Sequence, residues 1–149
     1  AIVESQCDAI LREKRIVVFM GDRLNRVAQL KPTMYLRGAE EIFWDIAVRQ
    51  EITQAIFKKI KDFYLAYLKR ILDAAKGKID IVLTGDDFGG QNGLLISPQA
   101  WRTLIKPGFA EYIGLIKSYN AIAMHHTCGS VLEIIPDMIE CGLDVLQLF

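Results

Sequence analysis

Four short apolar runs, separated by helical stretches, constrain the fold of this chain more than any other feature. They cover residues 16–19, 79–84, 121–126 and 144–149, and their length and β-branched content predict buried strands. Helical segments alternate with these runs, which predicts parallel strands joined by right-handed crossovers. Two architectures fit this order: an open doubly wound sheet, or part of a (β/α)8 barrel.

Apolar residues recur at helical spacing between the predicted strands. The predicted helices cover residues 35–48, 51–75, 97–119 and 130–140. Ser97 and Ser130 are suitable N-caps for the last two, and Pro107 is expected to bend the third. Residues 22–34 contain a proline and are expected to be irregular.

Polar residues cluster where the predicted strands end. They are Asp22 and Arg23, Asp86 and Asp87, and His126 and Cys128. A barrel builds its active site at the carboxyl ends of its strands, whereas no G-x-G-x-x-G fingerprint of a nucleotide-binding sheet follows any strand. The sequence therefore favours an α/β fold that is part of a (β/α)8 TIM barrel, about half of it. Asp22 and Arg23 are expected to pair with each other.

His126 and Cys128 form the most informative pair. Side chains two positions apart on a strand share a face, so these two are expected to point together, with His125 and Thr127 on the other side. An imidazole and a thiolate side by side are half of a zinc site, which needs three protein ligands for catalysis or four for a structural role. The alternative is a core histidine beside a buried cysteine.

Asp86 and Asp87 are candidates for acid–base or metal chemistry. Adjacent carboxylates at a strand end cannot both face the barrel axis, so one is expected to reach the pocket. There it would be a metal ligand, a partner of a ligand or a general acid/base. The alternative is that both hydrogen-bond loop backbone near residues 89–93. Gln91 is expected either to bind substrate or to tie this loop.

Composition excludes several classes of function. Eighteen basic residues balance 18 acidic ones, which gives no support for a nucleic acid or an anionic membrane as partner. The sequence has no apolar run of about 18 residues and no secretory leader. Three cysteines without framework spacing argue against a disulfide scaffold. A cytoplasmic location is therefore expected.

Four motifs together resemble one known family. They occupy residues 35–41, 85–98, 126–129 and 135–146. In order and spacing they resemble the uroporphyrinogen decarboxylase (URO-D) superfamily over nearly the whole chain. The resemblance implies a (β/α)8 barrel of about twice this length or more. Residues 1–149 would then be the central part of a single barrel domain, truncated at both ends.

Within this superfamily, the His-x-Cys pair resembles the corrinoid-dependent methyltransferase branch. In that branch a histidine and a cysteine on one strand, with a later cysteine, bind zinc. Carried over, His126 and Cys128 would be zinc ligands, and the third ligand would lie beyond Phe149. The implied activity is methyl transfer between a corrinoid (methylcobamide), free or on a corrinoid protein, and a small thiol or methylated donor.

Two alternatives remain open. The first is a cofactor-free uroporphyrinogen decarboxylase of porphyrin biosynthesis, in which Asp86 or Asp87 would hold the pyrrole N–H groups. True decarboxylases, however, usually lack the His-x-Cys-Gly sequence at this position. The second alternative is a non-catalytic corrinoid-binding module.

Overall fold

A computed structural model describes residues 2–20 and 27–148. Asp22 and Arg23, which were expected to pair, lie outside the described residues. The elements follow one another as α1 (Ile2–Arg12), β1 (Val18–Phe19), α2 (Leu30–Arg37), α3 (Ala39–Val48), α4 (Gln50–Ala75), β2 (Ile81–Gly85), α5 (Pro98–Ala100), a π-helical turn (Trp101–Ile105), α6 (Lys106–Ser118), β3 (Ile122–Thr127), a 3-10 turn (Leu132–Ile134), α7 (Ile135–Glu140) and β4 (Val145–Leu148).

The four strands form one parallel sheet in the order β1-β2-β3-β4. All four predicted strands are confirmed, with ends that differ by no more than two residues. The sequential order lacks the reversal that defines the switch point of a doubly wound sheet. It matches the succession of strands in a (β/α)8 barrel.

The sheet has one covered face and one open face. On the covered face, Val82, Ala123 and Thr127 are fully buried under the helices. On the open face, Val18, Ile122 and Val145 each remain 40–44% exposed. His126 is on this open face, because strand side chains alternate and its neighbours His125 and Thr127 are buried.

The loops that follow β2 and β3 meet backbone to backbone. Gly89 N donates to Cys128 O at 3.2 Å, and Ser130 N donates to Gly90 O at 2.8 Å. A Cβ atom at Gly89 would lie 2.7 Å from the Gly129 carbonyl carbon, and one at Gly129 would lie 2.4 Å from that of Gly89. Gly129 also has a φ of +76°, which favours glycine. Side chains at these positions would therefore force the loops apart.

Asp86 holds the start of α2 from a distant part of the sequence. Its Oδ2 accepts from Gln29 N and Leu30 N, both at 2.7 Å, and its Oδ1 accepts from Lys31 N at 2.8 Å. These are N–H groups of the first helical turn, which have no partner within the helix. Burial raises the pKa of Asp86 to about 6, against the lowering effect of these three donors.

This remote cap explains an error of the sequence analysis. Residues 22–34 were expected to be irregular, but α2 begins at Leu30. The local sequence contains no capping residue that would indicate the start of α2, because the cap is Asp86, 56 positions away. The single helix predicted over residues 35–48 is also wrong: Gly38, with a φ of +90°, divides it into α2 and α3.

The helix that follows β3 starts later than predicted. Ser130 does not cap it, because Ser130 lies in the loop and its N–H bonds Gly90. A 3-10 turn comes first, and none of the described side chains caps α7. Pro136 lies in the first turn of α7, where its missing N–H costs no hydrogen bond.

The helix before β3 agrees better with the prediction. Ser97 is an N-cap, since its Oγ accepts from Ala100 N at 3.1 Å. A π-helical turn ends two residues before Pro107, where the proline was expected to disturb the helix. Helix α1, by contrast, has no counterpart among the predicted helices.

The long helix α4 confirms the prediction for residues 51–75; it packs against α1, α2, α3 and α6, and its Tyr67 ring contacts Phe19 of β1. It buries Phe57, Tyr64, Leu68 and Leu72. It ends at Ala75; the C-cap Lys76 is left-handed, and Gly77 follows with positive φ. Across residues 2–20 and 27–148, no helix combines the length and the apolar character needed to cross a membrane.

The contact between the two loops predicts a large difference between two glycine substitutions. Gly89→Ala should destabilise the protein by about 1–3 kcal/mol or more, because its Cβ overlaps backbone that cannot move aside. Gly114→Ala in α6 has open space around the new Cβ and should add about 0.5–1 kcal/mol through helix propensity. Urea denaturation followed by circular dichroism measures both; equal stability of Gly89→Ala and wild type would contradict the loop contact.

The raised pKa of Asp86 predicts a pH dependence of stability. The folded protein holds this proton more tightly than the unfolded chain, so the contribution is complete below about pH 4 and is lost as the pH rises through 6. Relative to Asp86→Asn, wild type should lose about 2.5 kcal/mol of unfolding free energy between pH 4 and pH 7.5. Urea denaturation of both proteins in chelating buffer tests this. A difference that stays constant with pH would exclude it.

Candidate metal centre

His126 and Cys128 lie side by side where β3 ends. The Cys128 Sγ atom is 3.5 Å from His126 Nε2, so the predicted shared face is confirmed. The His126 side chain is 15% exposed, and Cys128 is half-buried. Both side chains therefore line the edge of the open face without being fully solvated.

Asp87 adds a third donor atom to this pair. Gly85 pairs with His126 across β2 and β3, so Asp87, two residues later, arrives beside Cys128. Its Oδ1 lies 3.7 Å from His126 Nε2 and accepts the Cys128 N–H at 3.2 Å. One donor atom from each of the three residues lies within 4.8 Å of the others.

The arrangement of the three donors distinguishes two kinds of chemistry. A proton relay requires the nucleophile at one imidazole nitrogen and the carboxylate at the other. Here Cys128 and Asp87 both face Nε2 of His126. A tetrahedral zinc ion holds sulfur, nitrogen and oxygen ligands about 3.3–3.6 Å apart. The observed separations of 3.5 and 3.7 Å therefore fit a shared metal ion better than a catalytic triad.

The local charges support the same interpretation. Partial burial alone would raise the pKa of the Asp87 carboxyl, but the Lys31 ammonium and the Cys128 N–H outweigh it and hold that pKa below its usual range. Burial, followed by the hydrogen bond with Asp87 and then by the charge of Asp87, raises the pKa of the Cys128 thiol. Without a cation, Cys128 is therefore a thiol at neutral pH. A metal ion would displace its proton.

His125 lies on the covered face, as predicted. Its Nδ1 is 2.7 Å from Thr84 Oγ1. Its ring stacks on Phe88 at 5.4 Å and meets the edge of Phe109 at 5.0 Å. Burial lowers the pKa of His125 to about 3. This histidine is therefore neutral and contributes to the packing behind the donor cluster.

The other predicted site residues lie apart from the cluster. Asp86 is buried behind the sheet, with both oxygens engaged by the start of α2. The adjacent aspartates thus face opposite ways, and Asp87 is the one that reaches the site. Gln91 lies exposed in the loop after β2, and its role in substrate binding stays a prediction.

Among the described residues, Lys31 and Gln147 also adjoin the site, although the sequence analysis did not single them out. Lys31 pairs through its ammonium with Asp87 Oδ2. Gln147 pairs in register with His126 across β3 and β4 and so shares its face. Strand periodicity could have identified Gln147. No local signal could have identified Lys31, which is 56 positions from its partner.

The described fold and site can be compared with known proteins. The family model of uroporphyrinogen decarboxylase (URO-D) matches residues 30–148. A solved structure, a methyltransferase from Methanosarcina mazei, superimposes with a TM-score of 0.71 at 19% sequence identity. The match covers 97% of this chain and 40% of that protein, so this chain spans less than half of its length. No curated protein sequence matches significantly.

The structural match and the family match support different conclusions. At this low identity the structural likeness establishes the fold, which confirms the prediction of part of a (β/α)8 barrel. The family match includes α2 through β4 and therefore every residue of the donor cluster. It covers well over half of the sequence. The chain therefore belongs to the uroporphyrinogen decarboxylase (URO-D) family.

Proposed function

We propose that this chain carries the zinc centre of a methyltransferase that moves a methyl group between a corrinoid and a thiol or methylated donor. The observation that carries the proposal is the convergence of imidazole, thiol and carboxylate donors from His126, Cys128 and Asp87. The likeness in fold to a methyltransferase supports it, as does membership of the URO-D family.

His126 Nε2, Cys128 Sγ and Asp87 Oδ1 would hold the metal ion. The family resemblance assigns a ligand position to a cysteine beyond residue 149, whereas Asp87 offers an oxygen from within the described chain. Zinc bound here would keep a substrate thiol in its nucleophilic thiolate form at neutral pH. Three protein ligands leave a coordination position for substrate, as catalytic zinc sites require.

The surrounding chain preorganises these donors. Asp86 N donates to His126 O at 3.0 Å, and Phe88 N donates to Thr127 Oγ1 at 3.0 Å. These bonds fix the ends of β2 and β3 relative to each other, so the donor side chains start from a rigid backbone. Substrate would approach at the carboxyl ends of the strands, where the three donors lie. Gln91, in the exposed loop after β2, could bind a polar group of that substrate.

Methyl transfer to the acceptor needs no reactant besides the thiol and methylcobamide. The sulfur of the acceptor thiol forms a bond to the methyl carbon of methylcobamide, and the thiol proton passes to solvent. The cobalt–carbon bond breaks, and both of its electrons remain on cobalt. In the demethylating direction, the electron pair of cobalt(I) would form the bond to the methyl carbon, the bond between that carbon and the donor atom would break, and the released donor atom would take up a proton from solvent.

A cofactor-free decarboxylation of uroporphyrinogen is the second candidate, and one observation favours it. Asp87 is ionised and 24% exposed on the open face, so it could accept pyrrole N–H groups. Turnover of uroporphyrinogen by chelator-treated protein would support that activity over methyl transfer. Corrinoid binding without either reaction would indicate a binding module.

Metal content provides the first test of the proposal. Protein purified without added metal should contain about one zinc per chain, and Cys128→Ser should contain almost none, because one of three ligands is lost. Cys141→Ser is the matched control, since that half-buried thiol lies outside the cluster. Elemental analysis by mass spectrometry gives the stoichiometry. Zinc-free but folded wild type would refute the metal centre.

Methyl transfer provides the second test. Wild type should demethylate methylcobalamin in the presence of a small thiol, followed by the change in corrinoid absorbance. Cys128→Ser should show only the uncatalysed rate, because the thiol is no longer held as a thiolate, while Cys141→Ser should keep wild-type activity. Transfer at the wild-type rate in Cys128→Ser would end the proposal.

A further inference from the structure

Lys31 contacts both carboxylates of the aspartate pair through different atoms. Its backbone N–H donates to Asp86 Oδ1 at 2.8 Å on the covered side. Its side-chain ammonium pairs with Asp87 Oδ2 on the site side. The start of α2 is therefore fixed by Asp86 in a position from which Lys31 can reach Asp87.

The two oxygens of Asp87 consequently have different surroundings. Oδ1 faces the cluster, 3.7 Å from His126 Nε2 and 3.2 Å from Cys128 N. Oδ2 is engaged by the Lys31 ammonium. A carboxylate held by its second oxygen cannot rotate freely, and only one oxygen remains for a cation among the three donors.

We propose that Lys31 is a positioning residue of the metal centre, which holds Asp87 Oδ2 so that Oδ1 is presented as a single oxygen ligand beside His126 and Cys128. This inference rests on the proposed function, because it requires a metal ion at the cluster. Hydrogen-bonding partners of metal-binding carboxylates orient their ligands in this way, and losing one weakens metal affinity about 10- to 100-fold.

A competing role for Lys31 makes the opposite prediction. If the ammonium acted as a substitute cation, it would oppose metal binding by charge repulsion, and its removal would tighten binding. The geometry favours positioning, because the Lys31 ammonium engages Oδ2, whereas the contacts with His126 and Cys128 are made by Oδ1. The direction of the change in affinity therefore separates the two roles.

The test measures metal binding by Lys31→Met in chelator-stripped protein. Co2+ is the spectroscopic probe, since thiolate coordination gives it visible absorption, and Zn2+ affinity follows from competition with bound Co2+. Lys31→Met should bind both ions about 10- to 100-fold more weakly than wild type, with an altered Co2+ spectrum. Lys31→Arg keeps a cationic donor and should restore most of the affinity.

Lys117→Met is the matched control. Lys117 pairs with Asp144, and its side chain is 45% exposed, close to the 44% of Lys31. Asp144 accepts from Ala123 N near the start of β3, at the opposite end of the strand from the cluster. This variant should therefore bind both ions as wild type does.

A double-mutant cycle with Asp87→Asn tests whether Lys31 acts through Asp87. In the Asp87→Asn background, adding Lys31→Met should change Co2+ affinity by less than about twofold, because the carboxylate that Lys31 would position is already absent. Additive losses would overturn the inference, as would wild-type or tighter binding by Lys31→Met. If wild type itself binds neither ion in a Cys128-dependent manner, the proposed function fails as well.

Discussion

The close approach of the loops after β2 and β3 is the constraint on which the site depends. Gly89 and Gly129 bring two backbones so near each other that neither tolerates a Cβ atom. The hydrogen bond from Gly89 N to Cys128 O then fixes the separation of the two strand ends. Asp87 belongs to one loop and Cys128 to the other, so their contact exists because the glycines permit it.

Adjacent aspartates connect this loop contact to the rest of the fold. The alternation of side chains sends Asp86 behind the sheet and Asp87 in front of it. Asp86 fixes the start of α2, and α2 in turn supplies Lys31 to Asp87. A single dipeptide therefore links helix placement to the electrostatics of the donor cluster. This link explains why Asp86 matters to the site although it points away from it.

Sequence periodicity was sufficient where local rules govern the structure. The two-residue repeat of a strand correctly placed His126 with Cys128 and turned His125 away. It also showed that Asp86 and Asp87 could not both face the axis, but not which one would, because that choice depends on where β2 ends and on its register with β3.

Where contacts between distant segments decide the structure, sequence patterns failed. The start of α2 depends on a carboxylate more than 50 positions away. Ser130 does not cap a helix, because its N–H donates to Gly90 O in the contact between the two loops. Lys31 lies in a segment that was expected to be irregular, and its partner is equally remote. A single sequence contains no local pattern for such pairings.

The contrast between the two histidines has a spectroscopic consequence. The chain contains only two, they are adjacent, and they occupy opposite faces of β3. Burial lowers the pKa of His125 to about 3, and its ring is enclosed between Phe88 and Phe109. The imidazole resonances of His125 should therefore not titrate near neutral pH. Within this chain the other imidazole, that of His126, is the one whose Nε2 faces the donor cluster, so a metal ion bound there should act directly on the His126 signals.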